Sequence, residues 1–322
     1  MSYKRVAVLR GGPSTEYEIS LETGKGVIES LKKQNFFVKD VVIDRQGEWI
    51  VDGYVKTPDR ILSDIDVVFL ALHGSYGEDG TVQRIIERLR VPYTGSGPMA
   101  SAICFNKHIT KEHLKEANFK LPRHIKVTRS GVSDIKKTAH SVNELIGSAY
   151  IVKPTTGGSS IDTVLVDRPL ELTNALRSVL DKHEEVMVEE RIVGREATVG
   201  ILEDFRNEKY YLLPEVEIVP PETSKFFSAE VKYTGETNEI VPGRFTKDEK
   251  KSLADAARFI HTALNLQQYS RSDFIVNKDG IYFLEVNTLP GLTSQSLFPK
   301  SVAAVGSNYD ELVSHLIETA RV

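Results

Sequence analysis

The sequence predicts an α/β protein that opens on a parallel sheet and ends in a strand-rich half. Its 322 residues are enough for two or three domains. Three observations predict this. Strands and helices alternate through Leu72, glycine-rich polar loops follow two of those strands, and after Gly97 the pattern changes to strands with a few long helices.

Residues 5–10 form a short apolar strand that runs into Gly11-Gly12-Pro13-Ser14. Residues 16–33 have helical spacing, with Ile19, Val27, Ile28 and Leu31 turned inward. Strands follow at 37–43 and 67–72, the latter continuously apolar and therefore buried on both faces. It leads into His73-Gly74-Ser75-Tyr76-Gly77-Glu78-Asp79-Gly80. In a parallel sheet, ligands gather at the strand C-termini, where these two loops lie. Beyond Gly97 the spacing predicts a helix over 99–117, strands at 123–127 and 150–154, a helix over 169–181 and a strand at 185–190. The last third reads as strands at 196–202, 210–213, 269–276 and 281–286 with one long helix over 247–264. Thr246 and Glu249 have capping-box spacing at the start of that helix. The polar stretch 218–244 is too long for an ordinary connection and reads as a lid or Ω-loop.

Composition narrows the classes. An apolar fraction of 40 % and a charged fraction of 27 % are those of a soluble globular protein. A net charge of -4 offers nucleic acid or anionic membrane no general attraction. Cys104 is the single cysteine, so neither an internal disulfide nor a cysteine-based zinc site is expected. The opening MSYKRVAVLRGG lacks a signal peptide's apolar core, and no run approaches a membrane span. The eight histidines show no His-x-x-x-His spacing, and Gly-x-Ser-x-Gly is absent, so zincin and α/β-hydrolase chemistry are not expected.

Three constellations carry chemistry. Arg271-Ser272-Asp273 and Glu285-Val286-Asn287 lie on strands joined by a Lys278-Asp279-Gly280 turn. Period-2 geometry puts Arg271 with Asp273, and Glu285 with Asn287, on one face. Three oxygen ligands beside an arginine suit Mg²⁺ shared with substrate phosphates. On that pattern alone, a solvated, ion-paired face fits as well. Lys153 precedes the loop Pro154-Thr155-Thr156-Gly157-Gly158-Ser159-Ser160, which is not a P-loop but can wrap phosphates with backbone N–H groups. Taken alone, a flexible hairpin fits it slightly better. Glu189 and Glu196 bracket a turn where carboxylates can accept from an amino group or ribose hydroxyls, although surface charge is the simpler reading.

Taken in order, these segments resemble the ATP-grasp superfamily, and within it the D-alanine–D-alanine ligase family, over nearly the whole chain. The resemblance rests on residues 11–21, 73–80, 92–97, 153–160, 189–196, 271–274 and 285–297. It implies a three-domain ATP-grasp fold (1–96, 97–188 and 189–322) with an N-terminal parallel-sheet domain and ATP between the central and C-terminal domains. It also implies ATP-dependent joining of two D-alanines through an acyl phosphate, for peptidoglycan precursor synthesis, in a cytoplasmic homodimer. Carried over by position, Lys107 and Lys153 match phosphate contacts, and Glu189 and Glu196 the adenine and ribose contacts. Asp273, Glu285 and Asn287 match ligands of two Mg²⁺ ions, with Mn²⁺ as an alternative. Arg271 and the Gly291 N–H match oxyanion donors, and Glu16 matches the holder of the first ammonium. Lys232, Ser296 and Leu297 match the second carboxylate's surroundings; Glu16, Ser159 and Tyr233 match a trio closing the lid; His73 goes with the substrates.

The sequence departs from the family pattern at Asn106, where Asp is usual, at Arg84, and at Ile161-Asp162-Thr163 after the phosphate loop. Tyr233 goes with dipeptide rather than depsipeptide synthesis in the family. The alternatives are another ATP-grasp amino-acid or depsipeptide ligase, distinguished by the pocket around Lys232 and Ser296, and a nucleotide-binding protein without catalysis. A pure binder has no need of an oxyanion donor such as Arg271.

Overall fold

The computed structural model describes residues 4–147, 149–158, 161–221 and 237–322. Three sheets follow one another along the chain. The first has β1 (Arg5–Gly11), β2 (Phe37–Ile43), β3 (Trp49–Val51), β4 (Tyr54–Val55) and β5 (Val67–Leu70), in the order β4-β3-β2-β1-β5. β2, β1 and β5 are parallel, as the strand–helix alternation predicts, and two short antiparallel edge strands extend them. Val6 to Leu9 and Val67 to Leu70 are buried, the pattern of strands covered on both faces. Helix α1 (Tyr17–Lys33) contributes Val27, Ile28 and Leu31 to this core. Short α2 (Pro58–Leu62) and α3 (Thr81–Leu89) complete the unit.

The region predicted as one helix over 99–117 is two: α4 (Pro98–Phe105) and α5 (Lys107–His113). Asn106 between them is extended, and its Oδ1 accepts from Ile109 N at 3.1 Å. Asn caps a helix as well as the Asp usual here. The break turns Lys107 N toward the Thr155 carbonyl, 2.8 Å away, and so ties α5 to the glycine loop.

The second sheet holds β6 (His124–Thr128), β7 (Tyr150–Pro154), β8 (Val164–Val166) and β9 (Glu185–Glu190), all antiparallel in the order β6-β9-β7-β8. Val152, Val186 and Val188 pack under α6 (Ile135–Ile146) and α7 (Leu172–Leu180). Strand alternation turns Lys153 and Glu189 to the opposite face.

The third sheet contains β10 (Arg195–Phe205), β11 (Glu208–Leu212), β12 (Val216–Val219), β13 (Asn238–Ile240), β14 (Tyr269–Asn277) and β15 (Gly280–Asn287). Its order is β13-β12-β10-β14-β15, with β11 also on β10. α8 (Lys247–Ala263) begins at the predicted capping box, in which Glu249 N donates to Thr246 Oγ1 at 3.3 Å and Thr246 N to Glu249 Oε2 at 2.7 Å. Leu253, Ala257 and Ile260 of this helix share a core with Phe274 and Phe283. α9 (Leu297–Ala304) and α10 (Tyr309–Glu318) then return the chain to the first sheet, where Leu312, Val313, Leu316 and Ile317 join its core.

β12 and β13 occupy the ends of the stretch read as a lid. The middle of that stretch, with Lys232 and Tyr233, lies outside the described residues, as does Ser159. Among the described residues no helix is long and apolar enough to cross a membrane.

Candidate active site

The register of the third sheet assembles the polar face. Arg271 pairs with Asn287 and Asp273 with Glu285 across β14–β15, while Thr198 of β10 stands opposite Asp273. A bulge between Asp273 and Phe274 lets Phe283 and Val286 point into the core while Glu285 faces out. The Arg271 guanidinium forks onto Asp273, with Nε to Oδ1 and Nη2 to Oδ2 both 2.9 Å. Thr198 Oγ1 donates to Asp273 Oδ1 at 2.5 Å and Asn287 Nδ2 to Oδ2 at 3.2 Å. Burial opposes charge on Arg271, but Asp273 more than offsets it, so the guanidinium's pKa is raised.

Two cavities meet at this face. One, of about 220 Å³, reaches from the loops after β1 and β5 to the loop after β15. The other, of about 230 Å³, lies between the second and third sheets. Lys107, Gly157, Gly158, Arg271, Glu285 and Leu297 line both. Lys107 Nζ lies 3.4 Å from Glu285 Oε2 and donates to the Gly157 carbonyl, joining the glycine loop to the acidic face.

In the first cavity, Glu16 lies against two glycine loops, one of them in a left-handed turn at Gly74. A Cβ on Gly74 (φ +70) would stand 3.0 Å from Glu16 Oε2, and one on Gly158 2.9 Å from it. Gly74 N donates to Glu78 Oε1 at 2.8 Å. Burial, then neighbouring Glu16, push the Glu78 carboxyl up to about 8. Glu78 was not among the residues singled out from sequence, although it stands in the polar loop that was.

Glu78 carries a prediction. Its folded pKa lies above the ordinary 4.5, so the native state holds an extra proton between those values. The stability it contributes is fully present below about pH 4.5 and lost as pH rises through about 8. Glu78→Gln removes that dependence, and its urea midpoint is expected to exceed the parent's at pH values above 8. The gain is on the order of a few kcal/mol. Parallel pH profiles for the two proteins would contradict this.

His73 lines the same cavity with both ring nitrogens engaged, Nε2 2.9 Å from Thr23 Oγ1 and Nδ1 3.2 Å from the Leu289 carbonyl. The carbonyl requires a proton on Nδ1, so Nε2 accepts from the threonine. Burial lowers its pKa against the pull of Glu16 and keeps the ring neutral. Cys104 also lines this cavity, where burial raises its thiol pKa and so disfavours the thiolate. At the far wall, Thr293 N donates to Ser296 Oγ at 3.1 Å, and Ser296 and Leu297 open α9. No described residue accepts the Gly291 N–H, which lies at this wall.

In the second cavity, Glu189 is 1 % exposed, with one carboxylate oxygen 2.7 Å from Lys153 Nζ and the other 2.7 Å from Lys111 Nζ. Burial works to raise its pKa, and the two lysines bring it down to about 2. Lys111 is wholly buried and also donates to the Phe283 carbonyl at 3.0 Å, bonding α5 to the third sheet. Sequence reasoning missed it; its one signal is that it follows Lys107 by a helical turn. Glu196 lines the cavity from β10.

Of the sixteen residues singled out, Ser159, Lys232 and Tyr233 lie outside the described residues. The other thirteen line one or both cavities.

Comparison with known proteins places this geometry. The family model "D-ala D-ala ligase C-terminus" matches residues 113–318, and "D-ala D-ala ligase N-terminus" matches 5–60 and 54–96. A D-alanine–D-alanine ligase of Clostridium botulinum (strain Eklund 17B / Type B) is 36% identical over 316 residues, 98% of this chain and 97% of the relative. Among solved structures, the D-alanine–D-alanine ligase from Bacillus anthracis complexed with ATP superposes with a TM-score of 0.80 at 31% identity, covering 99% of this chain and 97% of that one. The VanG D-Ala:D-Ser ligase from Enterococcus faecalis superposes at 0.82 with 28% identity over 99% of both chains.

Proposed function

The chain belongs to the D-alanine–D-alanine ligase family, and from that premise we propose how its two cavities divide the reaction. The chain is an ATP-dependent ligase that joins two D-alanines into the dipeptide used for peptidoglycan precursors. The observation that carries the assignment of cavities is their meeting over Lys107, Arg271 and Glu285. A phosphate entering from one side there reaches a carboxylate entering from the other.

In this reading the second cavity takes ATP, with Lys107 and Lys153 on its phosphates and Glu189 and Glu196 as acceptors toward adenine and ribose. The first cavity takes the two amino acids. Glu16 and Glu78 put two carboxyl groups beside one buried space, and the ammonium of the first D-alanine would offset the burial and repulsion that hold a proton on Glu78. His73 holds the β5 loop to the Leu289 loop and so positions both walls. The first D-alanine's carboxylate attacks the γ-phosphoryl group and displaces ADP, giving the acyl phosphate, while the lysines neutralise charge on the phosphate oxygens. The second D-alanine's amine, once deprotonated, attacks the acyl carbon, and the resulting oxyanion is held by Arg271 and the Gly291 N–H. Its collapse breaks the C–O bond and expels inorganic phosphate, leaving the dipeptide. Ser296, Leu297 and Lys232 receive the second carboxylate, at the N-terminus of α9. Glu16, Ser159 and Tyr233 close the site against water, which would hydrolyse the acyl phosphate.

Asp273, Glu285 and Asn287 present carboxylate and amide oxygens from paired strands, a hard donor set that fits Mg²⁺. When bound, Mg²⁺ supplies charge neutralisation at the phosphates, and two ions, Mg²⁺ or Mn²⁺, are part of the proposal. A homodimer, a cytoplasmic setting and the division 1–96, 97–188 and 189–322 belong to it too. The three sheets in chain order support that division, with the second break better drawn after β9.

Phosphate release with ATP and Mg²⁺ tests the substrate. D-Alanine alone is expected to give turnover and a dipeptide by mass, with L-alanine silent. Turnover only with D-serine or D-lactate added to D-alanine would move the assignment to a neighbouring ligase.

A further inference from the structure

α5 faces two ways. Lys107 and Lys111 project toward the nucleotide cavity, whereas His108 and Glu112, also one turn apart, meet His124 of β6. One ligand atom from each of His108, Glu112 and His124 lies within 4.8 Å of the others. His124 Nε2 is 3.6 Å from Glu112 Oε1, and the two imidazoles stand edge to face with centroids 5.5 Å apart.

The hydrogen bonding is what distinguishes this cluster from a chance meeting of polar side chains. His124 Nδ1 lies 3.1 Å from the Pro122 carbonyl, which requires a proton on Nδ1 and leaves Nε2 a bare lone pair. That Nε2 is buried and takes no hydrogen bond, and the same holds for His108 Nδ1. Leaving a buried acceptor unpaired costs about 1–3 kcal/mol, and native structures do so rarely. Here two unpartnered ring nitrogens belong to residues whose ligand atoms gather with that of a carboxylate. A histidine whose far nitrogen is fixed by a backbone carbonyl is also the usual form of a metal ligand.

We propose that His108, Glu112 and His124 bind one first-row divalent transition metal, Zn²⁺ or a close neighbour, that clasps α5 to β6 beside the Lys111–Glu189 pair. Two imidazoles and a carboxylate suit this class and not Mg²⁺, which prefers oxygen ligands throughout. Bonds of about 2.0–2.1 Å require the ligand atoms to draw together by roughly an ångström. Glu112, half-exposed on a short helix, has the freedom to supply that movement. His124 pairs in register with Glu189, so the clasp fixes the strand pair that carries the carboxylate between Lys111 and Lys153. The site is separate from the Asp273–Glu285–Asn287 face and shares no residue with it.

The test uses the full chain, stripped with a chelator and held in a large excess of Mg²⁺ so that the oxygen-ligand face is saturated. Co²⁺ is then titrated and its visible bands read, with Zn²⁺ competition and thermal midpoints alongside. The expected result is one equivalent of Co²⁺ with the intense bands of low-coordinate nitrogen ligation, displaced by Zn²⁺, and a raised thermal midpoint. His108→Ala, Glu112→Ala and His124→Ala should each weaken binding by at least about 10–100-fold, since losing even a hydrogen-bond partner of a ligand costs that much. Their metal-free circular dichroism should match the parent's. Should His124→Ala fail to fold, the exposed Glu112→Ala and His108→Ala decide. No Co²⁺ bound in excess Mg²⁺, or variants that bind as the parent does, would overturn the proposal.

Discussion

Arg271→Ala is expected to lower kcat by about 10²–10³-fold, the typical cost of one oxyanion donor, and to leave KM for ATP nearly unchanged. The guanidinium lines both cavities and is forked onto Asp273 at 2.9 Å through both nitrogens, so its position is set before substrate arrives. A donor fixed in this way stabilises charge that exists only in the transition state, and its removal therefore acts on kcat rather than on ground-state binding. Arg271→Lys keeps the charge and loses the fork, so it should recover only part of the rate. Asp273→Asn is expected to be as damaging, because it loosens the fork and, in the proposed metal site, removes the negative charge that faces the ion. The double variant should then fall well short of the product of the two single effects, since both groups act as one unit. Steady-state kinetics on the parent and the four variants check this. If Arg271→Ala kept its kcat and raised only KM for D-alanine, the arginine would be a substrate-binding group and not an oxyanion donor.

The polar face was legible because β-strand alternation is strict enough to place Arg271 with Asp273 and Glu285 with Asn287 from spacing alone. The same rule fails next door. Alternation puts Phe283 on the face of Glu285, and the bulge that sends Phe283 into the core leaves no mark in the composition of either strand. The helix over 99–117 read as continuous because neither Pro nor Gly interrupts it. Its break at Asn106 depends on a bond from Lys107 N to Thr155, some fifty residues away. α10 belongs to the first sheet's core although it closes the chain, a placement that only tertiary contact decides. Lys111 and the histidines at 108 and 124 were passed over for a related reason. A lysine among polar helical neighbours reads as solvated, and two histidines sixteen positions apart match no spacing rule. Partners supplied by other strands give these residues their character.

Lys111→Met is expected to cost about 3 kcal/mol of stability, at the lower end of the roughly 3–5 kcal/mol seen when one partner of a buried ion pair is removed. Lys111 has no exposed surface and Glu189 only 1 %. Burial lowers the pKa of Lys111, and the attraction of Glu189 offsets part of that. Replacing a whole buried ion pair by apolar groups is often neutral, but here Glu189 stays behind with Lys153 as its remaining partner. The Phe283 carbonyl loses its donor as well. Lys153, 2.7 Å from Glu189, is why the loss should not reach the upper end of the range. A second effect follows from the same geometry. With Lys111 gone, Glu189 holds Lys153 more tightly, which leaves less of that charge for phosphate, so KM for ATP should rise even where the protein remains folded. Urea unfolding reads the first effect as a lower midpoint at unchanged slope, and ATP saturation curves well below that midpoint read the second. A midpoint and an ATP KM both equal to the parent's would mean that the buried lysine does not hold Glu189 and Lys153 in place.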